Sequence, residues 1–341
     1  MATPAVTVLM PVYNGARFLA GAMESVLGQT FSDFELLAIN DGSSDQTAEI
    51  LASSRDPRVR IVENGRNLGL IASLNKGLDL ARGDYIARMD QDDICHPRRL
   101  AVQATFMRNR PEIGVVGAWY RPIGTGWVRA VRLPTSHEDI CSWLPFHNPI
   151  AHPTAFLRRK VFVANRLYYD PSCLHAEDYD LWSRAARVTS LGNIPKALLR
   201  YRVHLDQITT QHGSAQSENA KLVRGRELAR LLPGITPGEI DFHHKLVTSN
   251  FTPDPSTFSR VESWLLRLHQ ENQRASAFPR ASFDRAIGKV WLRASLDCMP
   301  HAWAYSRFAG SPLTGLSGNR IASLAGFGAR ALKRVMSDKA A

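Results

Sequence analysis

Short apolar runs alternate with helically spaced ones over the first part of this chain, and few folds accept that rhythm. Val6-Thr7-Val8-Leu9-Met10 reads as a buried strand, after which Phe18, Leu19, Ala22, Met23, Val26 and Leu27 recur along one helix face. Phe34-Glu35-Leu36-Leu37-Ala38-Ile39 and Val59-Arg60-Ile61-Val62 are the second and third strands. Between them, Ser44 or Asp45 is placed to cap a helix through Thr47 to Leu51. Leu70 to Ala81 is a further helix, ended by the Arg82-Gly83-Asp84 turn; Tyr85-Ile86-Ala87-Arg88-Met89 and Gly114-Val115-Val116-Gly117-Ala118-Trp119 are later strands. The alternation predicts an α/β fold around a mostly parallel sheet flanked by helices. Ligands of such sheets bind beyond the carboxyl ends of the strands, where Asp41 and Asp90 both stand.

From about Arg121 to Arg202 the pattern is interrupted by Pro134, Pro145, Pro149, Pro153, Pro171 and Pro195. After about Gln211 the chain becomes helical in character, with breaks at Pro233-Gly234 and Pro237-Gly238 and a second helical block from Ser259 to Leu296. With 44% hydrophobic residues over 341 positions, the chain can bury the core of one large or two ordinary domains. No stretch approaches the roughly 20 apolar residues that span a bilayer, and Met1 to Met10 lacks the basic segment and apolar run of a secretory signal. The expected location is the cytoplasm. Cys95, Cys141, Cys173 and Cys298 are scattered, with neither a metal spacing nor a disulfide framework.

The formal charge of +11 is concentrated late in the chain, where thirteen Lys or Arg face five Asp or Glu from Arg260 onward. Ile321, Leu324, Ala325, Phe327, Gly328, Ala331, Leu332 and Val335 can share a helical face flanked by Arg320, Arg330, Lys333 and Arg334. That pattern suits a basic amphipathic helix on an anionic membrane surface, and equally a helix packed on the body with a solvated basic side. A peripheral position on the inner face of the cell membrane is one expectation. The basic residues lack the aromatic interleaving of a strand-binding groove, so no nucleic-acid partner is expected.

Asp90-Gln91-Asp92-Asp93 follows directly on an apolar strand, which is a poor place for three acids without a cation. Carboxylate oxygens suit hard divalent ions such as Mg²⁺ or Mn²⁺, and Mg²⁺ is usually shared with substrate phosphates. The same acids can instead favour the start of a helix at Pro97-Arg98-Arg99-Leu100. The segment Glu177-Asp178-Tyr179-Asp180-Leu181-Trp182 carries a second acidic group, and it also fits the first turn of a helix.

Taken together, Pro11-Val12-Tyr13-Asn14-Gly15, Asn40-Asp41-Gly42-Ser43-Ser44-Asp45, Asp90-Gln91-Asp92-Asp93 and Glu177-Asp178-Tyr179-Asp180-Leu181-Trp182 fall in one order along the chain. That order resembles glycosyltransferase family 2, the inverting enzymes of GT-A fold that include bacterial surface-polysaccharide transferases. The resemblance covers about Val6 to His204. It implies a GT-A catalytic domain over 1–210, with a nucleotide-sugar half at 1–120 and an acceptor half at 121–210, then a helical C-terminal region at 211–341. By the same resemblance Asp41, Pro11 and Tyr13 line the nucleotide pocket. Asp90 and Asp92 match the Asp-x-Asp motif that holds a divalent metal, Mn²⁺ or Mg²⁺, on the donor diphosphate, with Asp90 nearer the ribose. His204 lies where many relatives place a histidine near the diphosphate or metal. Asp178 matches the general base. His152 falls in a segment similar to one near the acceptor site, and Trp182 has either a sugar-facing or a core role.

The expected function is metal-dependent, inverting transfer of a sugar from a nucleoside-diphosphate donor, with UDP favoured, to a glycan or lipid-linked glycan. It requires Asp41, Asp90, Asp92 and Asp178 to converge around one nucleotide sugar. A nucleotidyltransferase also combines an α/β sheet with metal-binding acids, but Pro11 to Arg17 is not a glycine-rich basic loop. A non-catalytic sugar or nucleic-acid binding module draws support from the basic charge alone.

Overall fold

A computed structural model of the chain describes residues 3–124, 126, 129–204, 213–298 and 301–316. The first half of its sheet is a βαβ succession: β1 (Val6–Val12), α1 (Ala16–Leu27), β2 (Phe34–Asn40), α2 (Thr47–Ser53), β3 (Val59–Glu63), α3 (Leu70–Leu80) and β4 (Tyr85–Arg88). β1 pairs with β2 and β4, and β2 with β3, all in parallel. Every residue of β1 and β2 is buried, which is why both read as near-continuous apolar runs. The polar exceptions are mutually satisfied. Thr7 Oγ1 donates to Glu35 Oε1 at 2.7 Å, and Glu35 Oε2 pairs with Arg60 Nε at 3.2 Å.

Pro11 does not stop the first strand, which runs on to Val12 with Pro11 in register with Ile39. The amide of Asp41 donates to Val12 O, so Val12 faces β2 and Pro11 faces the β4 side. β4 has already ended there, and the missing N–H costs no ladder bond.

The second half contains β5 (Ile94–Cys95), α4 (Arg99–Arg108), β6 (Ile113–Ile123), α5 (His137–Trp143), β7 (Phe156–Arg158), α6 (Arg159–Ala164), α7 (Glu177–Ala185) and β8 (Ser190–Arg202). The sheet order is β3-β2-β1-β4-β7-β6-β8-β5. β7 runs antiparallel to both β4 and β6, and β5 antiparallel to β8. The proline-interrupted stretch therefore hides a 13-residue strand. Ala118 pairs with Ile194 but Trp119 with Ala197, so Pro195 and Lys196 loop out of the β6 ladder, which spares Pro195 a hydrogen bond it cannot make.

Alternate residues of the sheet supply two cores, as a period of two requires. Val8, Met10, Leu36, Ala38, Val116 and Ala118 pack with Leu19 and Met23 of α1 and with Leu100 and Met107 of α4. Leu9, Leu37, Ile39, Ile86 and Val115 pack with Leu74 of α3 and with Leu181 and Trp182 of α7.

The chain divides into two compact units, the first made of residues up to Ile140 with Asn148–Ala220, the second of Cys141–His147 with the residues from Lys221 onward. Helices α8 (Gly213–Leu231), α9 (Pro237–Val247), α10 (Pro255–Ala275), α11 (Arg280–Asp297) and α12 (Ala302–Gly310) follow the sheet. In the second unit Phe146, Leu228, Phe258, Leu265, Phe283, Trp291 and Phe308 share one apolar core. Pro237-Gly238 opens a helix rather than breaking one, because Pro237 takes the first turn behind a Thr236/Glu239 capping box. The block expected from Ser259 to Leu296 is two helices, separated at a left-handed Ser276 and at Pro279. Among the described residues no helix is long and apolar enough to cross a membrane. The basic amphipathic pattern of Ile321 to Val335 lies outside the described residues.

Candidate active site

Three loops at the carboxyl ends of β1, β2 and β4 are stitched together by backbone-to-side-chain hydrogen bonds. Asn14 takes a left-handed turn (φ 46°) after β1. Its amide donates to Ser43 Oγ at 3.0 Å, and its Oδ1 accepts from the Ser44 amide at 2.9 Å. The Gly15 amide donates to Thr47 Oγ1 at 2.8 Å, and the Ala16 amide to Asp45 Oδ2 at 3.0 Å. Gln91 joins the third loop to the first: its Oε1 accepts from Tyr13 N at 2.8 Å and its Nε2 donates to Tyr13 O at 3.0 Å. A Cβ on Gly15 would stand 2.4 Å from Gln91 Oε1, so only glycine leaves room for this amide. Pro11 is buried in β1, whereas the Tyr13 side chain is 44% exposed beside the joined loops.

Asp41, although at a strand end as expected, spends its carboxylate largely on the protein. Oδ1 accepts from Asn64 Nδ2 at 2.7 Å and from Leu68 N at 2.9 Å, and Oδ2 accepts from Gly69 N at 2.9 Å. Three of about four acceptor sites are thereby filled. Asp41 thus holds the 64–69 loop over the end of β2. Gly42 beside it has φ 70°, and a Cβ there would lie 2.4 Å from the Arg66 carbonyl carbon.

In the acid loop, Asp90, Asp92 and Asp93 present carboxylate oxygens within 4.8 Å of one another. Asp93 is fully buried; its Oδ1 accepts from Arg202 N at 2.8 Å, while its Oδ2 is buried with no hydrogen-bond partner among the described residues. Burial, with the neighbouring Asp90 and Asp92 charges, pushes the Asp93 carboxyl well above its usual range. His204 Nε2 lies 2.8 Å from Asp92 Oδ2. Arg202 Nε donates to Asp92 O at 2.7 Å, and both His204 and Arg202 pack on the Phe18 ring. An all-oxygen carboxylate set with crowded negative charge and an orphaned buried oxygen fits a hard divalent cation.

Arg88 connects this loop with the Glu177-Asp178 segment. It is 3% exposed, forms an ion pair with Asp90, and its charge acts on Tyr169 and Glu177 as well. Asp178, in the first turn of α7, accepts from Asn148 Nδ2 through Oδ2 at 2.7 Å and from the Tyr179 amide through Oδ1 at 2.7 Å. Burial raises its pKa to about 6, opposed by the Tyr179 and Asn148 hydrogen bonds and by Arg88. Glu177 is more deeply placed, and burial together with the Asp178 charge raises it to about 7. Glu177 Oε2 is buried without a hydrogen-bond partner among the described residues.

Two residues with possible sugar or acceptor roles face inward instead. Trp182 is fully buried against the His152 ring, and His152 is buried with Nε2 2.9 Å from Tyr169 Oη. Burial and the Arg88 charge hold His152 well below the usual imidazole range, hence neutral. Arg88, Gln91, Asn148 and Arg202 were not singled out by sequence reasoning. The signal for Arg88 was present as a lone cation within an apolar strand, which demands buried acids nearby.

A family model described as glycosyl transferase family 2 matches residues 7–166. An uncharacterized glycosyltransferase of Haemophilus influenzae is 33% identical, over 67% of this chain and 75% of that protein. The O-antigen biosynthesis glycosyltransferase WbnJ of Escherichia coli is 33% identical, over 58% of this chain and 80% of that protein. Among solved structures, S. aureus TarS 1-349 in complex with UDP-GlcNAc superposes with a TM-score of 0.56 at 18% identity, covering 94% of this chain and 89% of that one. At that identity the likeness is one of fold.

Proposed function

The chain belongs to glycosyl transferase family 2 and is a glycosyltransferase of GT-A fold, and we propose that it moves a sugar, with inversion, from a UDP-sugar to a glycan or lipid-linked glycan acceptor. The observation that carries this reading is the stitching of the β1, β2 and β4 loops into one polar end, with Arg88 acting on Asp90, Glu177 and Asp178 together. Pro11, Tyr13 and the one acceptor site left on Asp41 bound the nucleotide pocket in this reading. A complex of a structural relative with UDP-GlcNAc supports a UDP donor, and the O-antigen relative supports a surface-glycan acceptor.

Asp92 and Asp90, with His204 against Asp92, would hold Mn²⁺ or Mg²⁺. When bound, the ion neutralises charge that grows on the departing diphosphate. Asp178 takes the proton of the acceptor hydroxyl as that oxygen bonds to the anomeric carbon and the bond from that carbon to the diphosphate oxygen breaks. Attack opposite the leaving diphosphate inverts the centre in one displacement, so no enzyme nucleophile is needed. A base titrating near pH 6 is mostly ionised at neutral pH yet more basic than an ordinary carboxylate. Glu177, raised further than Asp178 by burial and by the Asp178 charge, keeps its proton the more readily of the two and leaves Asp178 as the base. The catalytic domain in this reading is 1–210 and the helical region 211–341, with the basic tail at an anionic membrane surface on the strength of its sequence alone.

Calorimetric titration with UDP tests the reading. UDP binds the wild type in the presence of Mn²⁺ and at least about tenfold more weakly without it; Asp92→Asn loses the metal dependence. Equal UDP affinity with and without Mn²⁺ would defeat the metal assignment, and absence of UDP binding would defeat the donor assignment.

A further inference from the structure

Three arginines share one face of β6 and its neighbours. Arg121 of β6 and Arg200 of β8 are register partners in a parallel ladder. Their Cα atoms therefore stand about 4.8 Å apart, and their side chains leave on the same side of the sheet. The looped-out residues of the irregular stretch belong to β8, so β6 keeps its alternation and Trp119 shares the Arg121 face. Val131 bridges Tyr120 in the antiparallel sense, which sets Arg132 opposite Trp119. The Arg132 guanidinium lies 5.3 Å from the Trp119 ring centroid, and Trp119 is pinned by Nε1 donating to Leu133 O at 2.9 Å. All three arginines are exposed, and none pairs with a carboxylate among the described residues. Like charges directly opposite on a sheet are destabilising, so an anion bound between these side chains would relieve their repulsion.

The cluster stands on the Asp178 face of β6. Gly117, four residues before Arg121 and on the same face, lies under Ile150: a Cβ there would be 2.8 Å from Ile150 Cγ2. Asn148, two residues before Ile150, is the residue that donates to Asp178. Arg121 is about 13 Å along the strand from Gly117 at the usual rise per residue. The donor diphosphate has its own binding set in the acid loop, which leaves this cluster for a second phosphate group.

We propose that Arg121, Arg200 and Arg132 form a subsite for the diphosphate of a lipid-linked glycosyl acceptor, holding it while its sugar hydroxyl reaches Asp178. Guanidinium forks match phosphate oxygens in geometry and charge, and Arg132 is preorganised by its stacking on Trp119. The inference rests on Asp178 as the base and on the acid loop as the donor diphosphate site.

The test is titration of the full chain with geranyl diphosphate, a soluble prenyl diphosphate without sugar, in the presence and absence of UDP and Mn²⁺. Wild type binds the probe in both conditions, and the Arg121→Gln/Arg200→Gln variant binds it at least about tenfold more weakly with UDP affinity unchanged. Both side chains are exposed and neither pairs with a carboxylate among the described residues, so the variant keeps at least the wild-type Tm. Equal probe affinity in the variant, displacement of the probe by UDP in the wild type, or a parallel loss of UDP affinity would each overturn the subsite. Arginine-dependent probe binding by a wild type that binds no UDP would keep the phosphate subsite and defeat the donor reading instead.

Discussion

Replacing Asn148 by alanine should shift the acid limb of the pH–rate profile without touching a reacting atom. The Asn148 amide donates to Asp178 Oδ2 at 2.7 Å and favours the ionised carboxylate. The other groups acting on Asp178 stay in place: Arg88 and the Tyr179 amide, which favour ionisation, with Glu177 and Tyr169 close by. A hydrogen bond to a charged group contributes about 1.5–3 kcal/mol, and one pKa unit corresponds to about 1.4 kcal/mol. Removing the donor destabilises the charged form, so the Asp178 pKa, about 6 in the wild type, moves upward. The displacement is about one to two units. A base works only when ionised, so activity is lost on the acidic side and recovered as pH rises. For a shift of about 1.5 units, the rate at pH 6.5 falls roughly eightfold while the rate at pH 8.5 stays close to wild type. The assay is the initial rate of UDP-sugar hydrolysis or transfer with Mn²⁺ between pH 5.5 and 8.5. An unmoved acid limb, or a loss uniform across pH, would mean that Asn148 does not set the ionisation of Asp178.

Two substitutions probe the loops themselves. Gly42→Ala forces a side chain into a left-handed position with 2.4 Å to the Arg66 backbone, which costs at least about 1–2 kcal/mol; calorimetry should show Tm falling by at least about 2 °C, and an unchanged Tm would contradict the clash. Gln91→Ala removes both hydrogen bonds to the Tyr13 backbone, so UDP affinity in Mn²⁺ should drop about tenfold at near-wild-type Tm; unaltered affinity would show that the Tyr13 loop is held by other means.

The parallel half of the sheet was legible because its strands are buried throughout and its helices amphipathic, so both periods stood out in the sequence. In the second half β6 was read through Gly114–Trp119, but β7 and β8 were not. β7 is three residues long, and β8 is divided by a looped-out Pro195, so neither offered a run long enough to show a period. The helical character after Gln211 was visible, yet Pro237 read as a break when a proline at a first turn is a start. Within the site, sequence order gave Asp41 its place at the end of β2 but not its inward commitment, since Asn64, Leu68 and Gly69 carry no mark of their partner. Gln91 and Asn148 were equally silent, because an amide reads the same whether it faces solvent or a neighbouring loop. The membrane expectation rests on residues 320–335, beyond those described.

A crystal structure of the full chain with a UDP-sugar analogue and Mn²⁺ would show whether one nucleotide sugar lies between the Tyr13 loop, the acid loop and Asp178. The expected complex has uracil against Pro11 and Tyr13, the ion on Asp92, and the Asp178 carboxylate on the side of the anomeric carbon opposite the diphosphate. A nucleotide bound away from Asp92, or an Asp178 carboxylate turned from the anomeric carbon, would contradict it.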